Sequence, residues 1–275
     1  MQAKTIIITG AANGIGRYLA QKLYQQGHFI VAVDIQAQAL ENLAKADQWK
    51  EENALLYPMD ISQLQNWKEL CNTVLQKRTQ IDVLMNVAGI IQPGYIYNTD
   101  EESIEKHINI NLKGTIYGTK TAAEQMVKQK HGQIINVASL AGLTPGKGFN
   151  LYCASKFGVR GFSISAAHEL REHNVWVSVV CPDLVDTHML QVQLNYEESA
   201  LVFSGNKILT VAEIGEVIIK KALMQKKVEI VYPFARGLLA KLSCIMPSLG
   251  FSSIAKSLWS KGNKKRQMLK KERKI

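Results

Sequence analysis

Residues 5–23, "TIIITGAANGIGRYLAQKL", bring three patterns together. The stretch opens on an uninterrupted β-branched run, the signature of a strand buried on both faces. Glycines then fall at Gly10, Gly14 and Gly16, after which Ile15, Leu19 and Leu23 recur every four residues, as on a helix with one apolar face. Glycine permits the sharp reversal from strand to helix and lets backbone N–H groups approach a pyrophosphate, at which the positive helix N-terminus is aimed. A glycine cluster alone is often only a tight turn. With a strand before it and a helix after it, it reads as a dinucleotide site.

Outward from this stretch, apolar strand-like runs alternate with longer segments of helical period. Strands are expected near Thr5–Thr9, Phe29–Asp34, Ala54–Met59, Val83–Asn86, Gln133–Ala138, Trp176–Cys181 and Glu229–Tyr232. Alternation of this kind implies a parallel sheet with helices on both faces, hence a doubly wound, Rossmann-like α/β domain of about seven strands over residues 1–233. Residues 234–275 are expected to form an amphipathic, basic helical extension.

A chain of 275 residues with 47% hydrophobic content is long enough for one large domain and needs no second. The net charge of +10 invites a nucleic-acid reading, but residues 256–275 hold nine basic side chains against Glu272 alone, leaving the other 255 residues only +2. Nucleic-acid binding by the body is therefore not supported. Cys71, Cys153, Cys181 and Cys244 are widely spaced and form no Cys-x-x-Cys pair, so neither a disulfide framework nor a metal site is expected. No secretory signal and no apolar run of spanning length are apparent. A cytoplasmic, reducing location is expected.

Two further features carry chemistry. The second strand ends in Asp34, eighteen residues after Gly16, where a carboxylate can accept hydrogen bonds from both ribose hydroxyls of adenosine. A 2′-phosphate would meet like charge there, and neither Asn13 nor Ile35 offers it a cation, so NAD is favoured over NADP. Helix capping is the plainer role for Asp34. In "LYCASKFGV", residues 151–159, Tyr152 and Lys156 stand four apart and share one helix face. A lone pair of this kind is usually a core aromatic beside a solvated lysine; here it has company.

The chain resembles the short-chain dehydrogenase/reductase family over about residues 4–233. "TGAANGIG" (Thr9–Gly16) resembles the family's glycine turn, with Gly10, Asn13, Gly14, Ile15 and Gly16 at the cofactor. Asp60 in "MDIS", followed by Ile61, resembles its adenine-contacting position. "NVAG" resembles its N-N-A-G segment, with Asn86, Ala88 and Gly89, and "CPDLVDT" its nicotinamide-gripping segment, with Pro182, Val185 and Thr187. Asn111, Ser139, Tyr152 and Lys156 match the four catalytic positions. The resemblance implies hydride transfer between NAD and a secondary alcohol or ketone. Tyr152 would serve as acid–base and Lys156 would hold the nicotinamide ribose. Ser139 would orient the substrate oxygen, and Asn111 would hold a relay water. A phenol of ordinary pKa near 10 is too weakly acidic for this work, and Lys156 together with a positive nicotinamide should lower it. Two positions depart from the family pattern. Val87 replaces the second Asn of N-N-A-G, a change the sheet should tolerate. Asp183 replaces a glycine, either biasing the nicotinamide electrostatically or turning to solvent as a cap, and the second is expected. A dinucleotide-binding regulatory or scaffold protein without turnover is the alternative function, disfavoured because all four catalytic positions are intact.

A substrate lid is expected over about residues 186–210. Its Met189, Leu190, Val192, Leu194, Tyr196, Leu201, Val202 and Phe203 either line a site for a lipophilic substrate or pack on a neighbouring helix. His107, His168 and His173 are expected to be solvated or capping. The family resemblance also implies a homodimer or homotetramer. In the extension, Leu238, Leu242, Ile245 and Leu249 recur at helical spacing beside Leu239 and Met246, before Pro247 and Gly250; Phe251, Ile254, Leu258 and Trp259 precede the basic run. Apolar surface followed by positive charge suits peripheral contact with an anionic membrane. Packing on the protein's own substrate cleft, a solvated disordered tail and contact of the basic end with nucleic acid are the other readings.

Overall fold

The computed structural model describes residues 3–248 and 253–273. Seven parallel strands, β1 (Thr5–Thr9), β2 (Phe29–Asp34), β3 (Ala54–Pro58), β4 (Val83–Asn86), β5 (Gly132–Val137), β6 (Val175–Pro182) and β7 (Glu229–Tyr232), lie in the order β3-β2-β1-β4-β5-β6-β7. The order reverses between β1 and β4, where ligand crevices open at the carboxyl ends of strands. The expected strands are all present. Register moves some ends: Gly132 pairs with Val175, so β5 and β6 both begin one residue earlier than the apolar runs suggest.

Helices α1 (Gly14–Gln25), α2 (Ala37–Ala46) and α3 (Leu64–Lys77) follow the first three strands. A long helical stretch then runs through α4 (Glu101–Lys106), a wider π-type segment His107–Lys113, and α5 (Gly114–Gln129). The remaining helices are α6 (Asn150–Arg171), α7 (His188–Leu194), α8 (Val211–Val217), α9 (Phe234–Ile245) and α10 (Ser253–Glu272). Because successive strand residues face opposite ways, Ile6 and Ile8 pack with Leu19 and Leu23 of α1, while Ile7 packs with Trp67 and Leu70 of α3 and Met126 of α5. Two apolar layers thus sandwich the sheet. Asn86 donates from Nδ2 to Asn136 Oδ1 at 2.9 Å, and Asn136 donates to Ser163 Oγ at 2.9 Å, tying β4, β5 and α6 together. Val87 packs against the α1-side core, so its loss of an amide leaves no buried polar atom.

His107 corrects a sequence expectation: it is fully buried, neither solvated nor a cap. Its Nδ1 lies 2.8 Å from the Ser103 carbonyl, and its Nε2 accepts the Gln92 N–H at 3.1 Å, an arrangement that requires neutral imidazole. Burial holds its pKa below the ordinary value, as it does for buried His28. The stability these groups contribute is complete above the unfolded pKa of about 6.5 and is lost as pH falls through the window below it. Thermal unfolding should therefore occur at lower temperature at pH 5.5 than at pH 7.5, and a pH-independent Tm over that range would contradict the assignment. His168 and His173 are exposed, as expected.

The chain beyond Tyr232 folds back onto the domain. Gly237 of α9 sits against Val231, Ala240 is buried, and the helix stops at Ile245 before Pro247. Leu249, Gly250 and Phe251 lie outside the described residues, as does the side chain of Ile254. Helix α10 lies on the lid stretch Glu197–Ser204, where a Cβ on Gly262 would stand 1.9 Å from the Ala200 carbonyl oxygen, so the two backbones touch. Arg266 is buried in this contact and donates to the Leu194 carbonyl at 2.7 Å, while Lys265 donates to the Gly205 carbonyl at 2.7 Å. Part of the basic run is therefore a docked helix.

Candidate active site

The glycine turn adopts the conformation its composition allows. Gly10 (φ +69°) and Gly14 (φ +54°) lie in the left-handed region, and a Cβ on Gly16 would fall 2.2 Å from the Gly10 carbonyl oxygen, so the turn closes only around glycine. A Cβ on Gly10 would meet Ala88 at 3.0 Å, which sets the "NVAG" loop directly against the turn. Thr9 Oγ1 accepts the N–H groups of Val87 and Ala88 at 3.0 and 3.1 Å and locks that approach. Asn13 is exposed at the mouth of the turn and Ile15 packs inward on the core. Thr187 stands over Gly14, and beside them an open depression of about 410 Å³ is lined in part by Asn13, Arg17, Thr187 and His188. The exposed N-terminus of α1 at this turn is the kind of site that attracts a phosphate.

At the adenosine end, Asp34 accepts the Ala12 N–H through Oδ2 and the Gln36 N–H through Oδ1, both at 3.1 Å. Asp34 is therefore not the cap of α2, whose N-cap is Gln36; its carboxylate closes the turn that precedes that residue. Asp60 accepts both the N–H and the hydroxyl of Ser62, at 2.8 and 2.9 Å, closing its turn, and the Ile61 carbonyl accepts the Trp67 indole N–H at 2.8 Å. The sequence names these residues singly; the sheet brings them to one edge.

The four catalytic candidates converge. A Cβ on Gly89 would stand 3.0 Å from Asn111 Oδ1 and 3.4 Å from Lys156 Nζ, so the loop, the amide and the ammonium share one small space that only glycine leaves open. Asn111 sits in the π-type segment, fully buried, accepting the Ile90 N–H at 2.8 Å and donating to Ser155 Oγ at 3.1 Å. The extra residue per turn in such a segment re-aims side chains, and these segments are frequent at functional sites. Lys156 Nζ donates to the Val137 carbonyl at 2.9 Å and lies 5.7 Å from the Tyr152 ring centre. Ser139 caps the following turn, accepting the Ala141 N–H at 3.1 Å, and stands near enough to the Tyr152 phenol to favour its ionised form.

The electrostatics correct one expectation. Burial pushes the Tyr152 phenol up to about 12, with Ser139 only partly opposing it, and pushes Lys156 down to about 8. Lys156 therefore does not by itself lower the phenol, because desolvation disfavours the charged form of both partners. The protein's own groups hold Tyr152 as a neutral proton donor.

Asp183 corrects another. Its side chain is only 6% exposed and forms an ion pair of 2.5 Å with Arg236 of α9. It neither faces solvent nor stands free beside the nicotinamide segment. Burial raises its pKa and the guanidinium opposes that rise. Three residues along, Arg273, just past the end of α10, grips Asp186 with two hydrogen bonds of 2.8 Å and holds that carboxyl below its ordinary pKa. Both acids of "CPDLVDT", around Val185 and just before Thr187, are thus held by arginines from the C-terminal extension. Sequence reading missed Arg266 and Arg273, since nothing in a basic run distinguishes a paired guanidinium from a solvated one, and Arg236, whose partner Asp183 is 53 positions away in the chain.

The lid divides its apolar side chains between two neighbours. Leu190, Leu194 and Phe203 pack together with Leu184 and Leu269, the last from α10. Met189, Val192 and Val202 pack with Ile91, Phe149, Cys153 and Tyr152. One subset therefore packs on the C-terminal helix and the other beside Tyr152. Among the described residues no group of ligands for a metal ion occurs, and no helix is long and apolar enough to cross a membrane.

Comparison with known proteins identifies the family. A short chain dehydrogenase family model matches residues 4–198. A diacetyl reductase [(S)-acetoin forming] of Staphylococcus epidermidis is 37% identical over 188 residues, 68% of this chain and 73% of its own length. A 3-oxoacyl-[acyl-carrier-protein] reductase of Thermotoga maritima is 35% identical over 191 residues, 70% and 78% of the two chains. Among solved structures, a short chain dehydrogenase/reductase from Burkholderia phymatum in complex with NAD superposes with TM-score 0.81 at 22% identity, over 90% of this chain and 95% of that one. ElxO with NADP bound superposes with TM-score 0.75 at 23% identity, over 86% and 100%. With a family model over most of the chain, relatives above a third identical and a sheet that superposes on these enzymes, the conclusion is direct: the chain belongs to the short-chain dehydrogenase family, oxidoreductases of alcohol and carbonyl groups that use a nicotinamide dinucleotide.

Proposed function

We propose that the protein interconverts a lipophilic secondary alcohol and its ketone with NAD(H). The observation that carries this reading is the apolar packing around the Tyr152 ring, which meets the side chains of Ile91, Phe149, Cys153, Met189, Val192 and Val202. Such a wall favours substrates that present hydrocarbon beside the reacting carbon. The bound dinucleotide supplies or accepts the hydride. In reduction, Tyr152 gives its proton to the carbonyl oxygen, Ser139 steadies the developing oxyanion, and Lys156 holds the charge balance beneath the phenol. Asn111 anchors the loop at Ile90 and stands beside Lys156, where a relayed proton re-enters. In oxidation the same phenol must first lose its proton, which the positive ring of the oxidised cofactor favours. NAD preference rests on Asp34, whose carboxylate would repel a 2′-phosphate, and on exposed Ile35 beside it, which offers no cation.

Steady-state oxidation of 2-alkanols and hydroxyacyl compounds of increasing chain length, with NAD and with NADP, tests this reading. We expect kcat/KM to rise with chain length, by up to about tenfold for each one or two added methylenes that are buried. A preference for short polar substrates such as acetoin would overturn it. Asp34→Ala is expected to raise KM for NAD by about tenfold and to narrow its lead over NADP. A parent enzyme that already prefers NADP would refute the role of Asp34.

A further inference from the structure

Helix α9 carries a surface for which the dehydrogenase has no use. At 100° per residue, Phe234, Ala235, Leu238, Leu239, Leu242, Ile245 and Met246 fall within an arc of about 140°. All seven are exposed, Phe234 and Ile245 to 75% and Leu239 to 66%. No polar residue interrupts the arc. The opposite side holds the helix to the domain: Gly237 against Val231, Ala240 in the core, Ser243 hydrogen-bonded to Thr144 at 2.7 Å, and Lys241 paired with Glu229. The face is thus presented outward by a helix fixed on its other side, and a continuous apolar strip of this kind marks an interaction site.

Charge identifies the occupant. Residues 234–275 contain eleven basic side chains and one acid, so the whole net charge of +10 lies in this extension and residues 1–233 are neutral. Arg236, Lys241 and Arg273 are spent on Asp183, Glu229 and Asp186. Lys256, Lys264 and Lys271 are exposed, and no ion pair engages them among the described residues. Helices α9 and α10 adjoin through Gly205, whose carbonyl accepts from Lys265 while the Arg236 guanidinium covers its Cα. A second copy seated on the strip would bring another extension of the same sign against the first. An anionic lipid surface supplies opposite charge to the lysines and hydrocarbon to the strip.

We propose that the α9 strip inserts into the interfacial region of an anionic bilayer, with the free lysines of α10 resting on the headgroups. The apolar and cationic parts of the contact come from different helices. The basic helix α10 is committed to the lid, and α9 does the inserting. The same helix touches Leu140, the residue after Ser139, and holds Asp183 through Arg236, so the active site lies next to the membrane-facing element. This goes beyond the proposed reaction and does not depend on it.

Cosedimentation of the full chain with vesicles of pure phosphatidylcholine, and of phosphatidylcholine with about a third phosphatidylglycerol, tests the proposal without any turnover. We expect binding to the anionic vesicles alone, weakened about tenfold or more between 0.05 and 0.5 M salt. The variant Leu238→Gln/Leu242→Gln/Ile245→Gln changes exposed side chains without altering charge and should bind at least about tenfold less, with its circular dichroism unchanged. Should that variant misfold, Met246→Cys in a Cys244→Ser background, labelled with an environment-sensitive fluorophore, gives a second measurement, expected to shift to the blue on anionic vesicles. Protein left in the supernatant at low salt would overturn the proposal. So would anionic binding that neither the glutamines nor the probe registers, which would mean that the basic run acts alone. A dimer that the glutamines dissociate, without vesicle binding, would assign the strip to a second copy.

Discussion

Tyr152→Phe is expected to lower kcat by about 10²-fold or more while leaving the dissociation constant for NAD within about twofold of the parent. The substitution removes one hydroxyl and keeps the ring, so the packing with Ile91, Phe149 and Cys153 survives and the loss falls on proton transfer. Burial pushes this phenol up to about 12, so the parent should reduce ketones at a rate nearly flat in pH through neutrality. Oxidation should quicken as pH rises, because its competent form is the phenolate. Above about pH 8 the free protein begins to lose the Lys156 proton, which should bend the reductive profile downward. Stopped-flow single turnovers separate chemistry from cofactor release. A phenylalanine variant with near-normal kcat would eliminate Tyr152 as the acid–base group.

Gly262→Val is expected to have the second-largest effect, through a residue more than a hundred positions from Tyr152. Any Cβ there would lie 1.9 Å from the Ala200 carbonyl oxygen and 3.0 Å from the Ser204 nitrogen, so α10 must lift off the lid. Overpacking of this kind costs about 1–3 kcal/mol. With α10 displaced, Arg266 loses its bond to the Leu194 carbonyl and Arg273 its grip on Asp186. KM for substrate should rise by about tenfold or more, and the amides of the lid and α10 should exchange faster in deuterium, while exchange at β1 and β4 is unchanged. Unaltered lid exchange would show that α10 and the lid do not depend on each other.

Much of the catalytic half was legible because its signals are local. A buried parallel strand is a continuous β-branched run, a dinucleotide turn needs glycine at fixed offsets, and Tyr152 meets Lys156 through one turn of helix; each is a property of a few consecutive residues. The alternation of such runs determined the doubly wound sheet, and the acid eighteen residues after Gly16 was placed where it is found, at the end of β2. The tertiary structure alone decided what depends on desolvation and on partners distant in the chain. Asp183 and Asp186 became partners of Arg236 and Arg273 because strand β7 delivers α9 to the nicotinamide segment and Gly262 lets α10 reach the lid. His107 became a buried acceptor because the π-type segment turns it inward toward Gln92. The Tyr152 pKa rose because burial penalises phenolate more than nearby groups relieve it. Residue type and spacing carry local geometry. Dielectric environment and pairing are set by what the fold packs alongside, and no run of neighbouring residues encodes them.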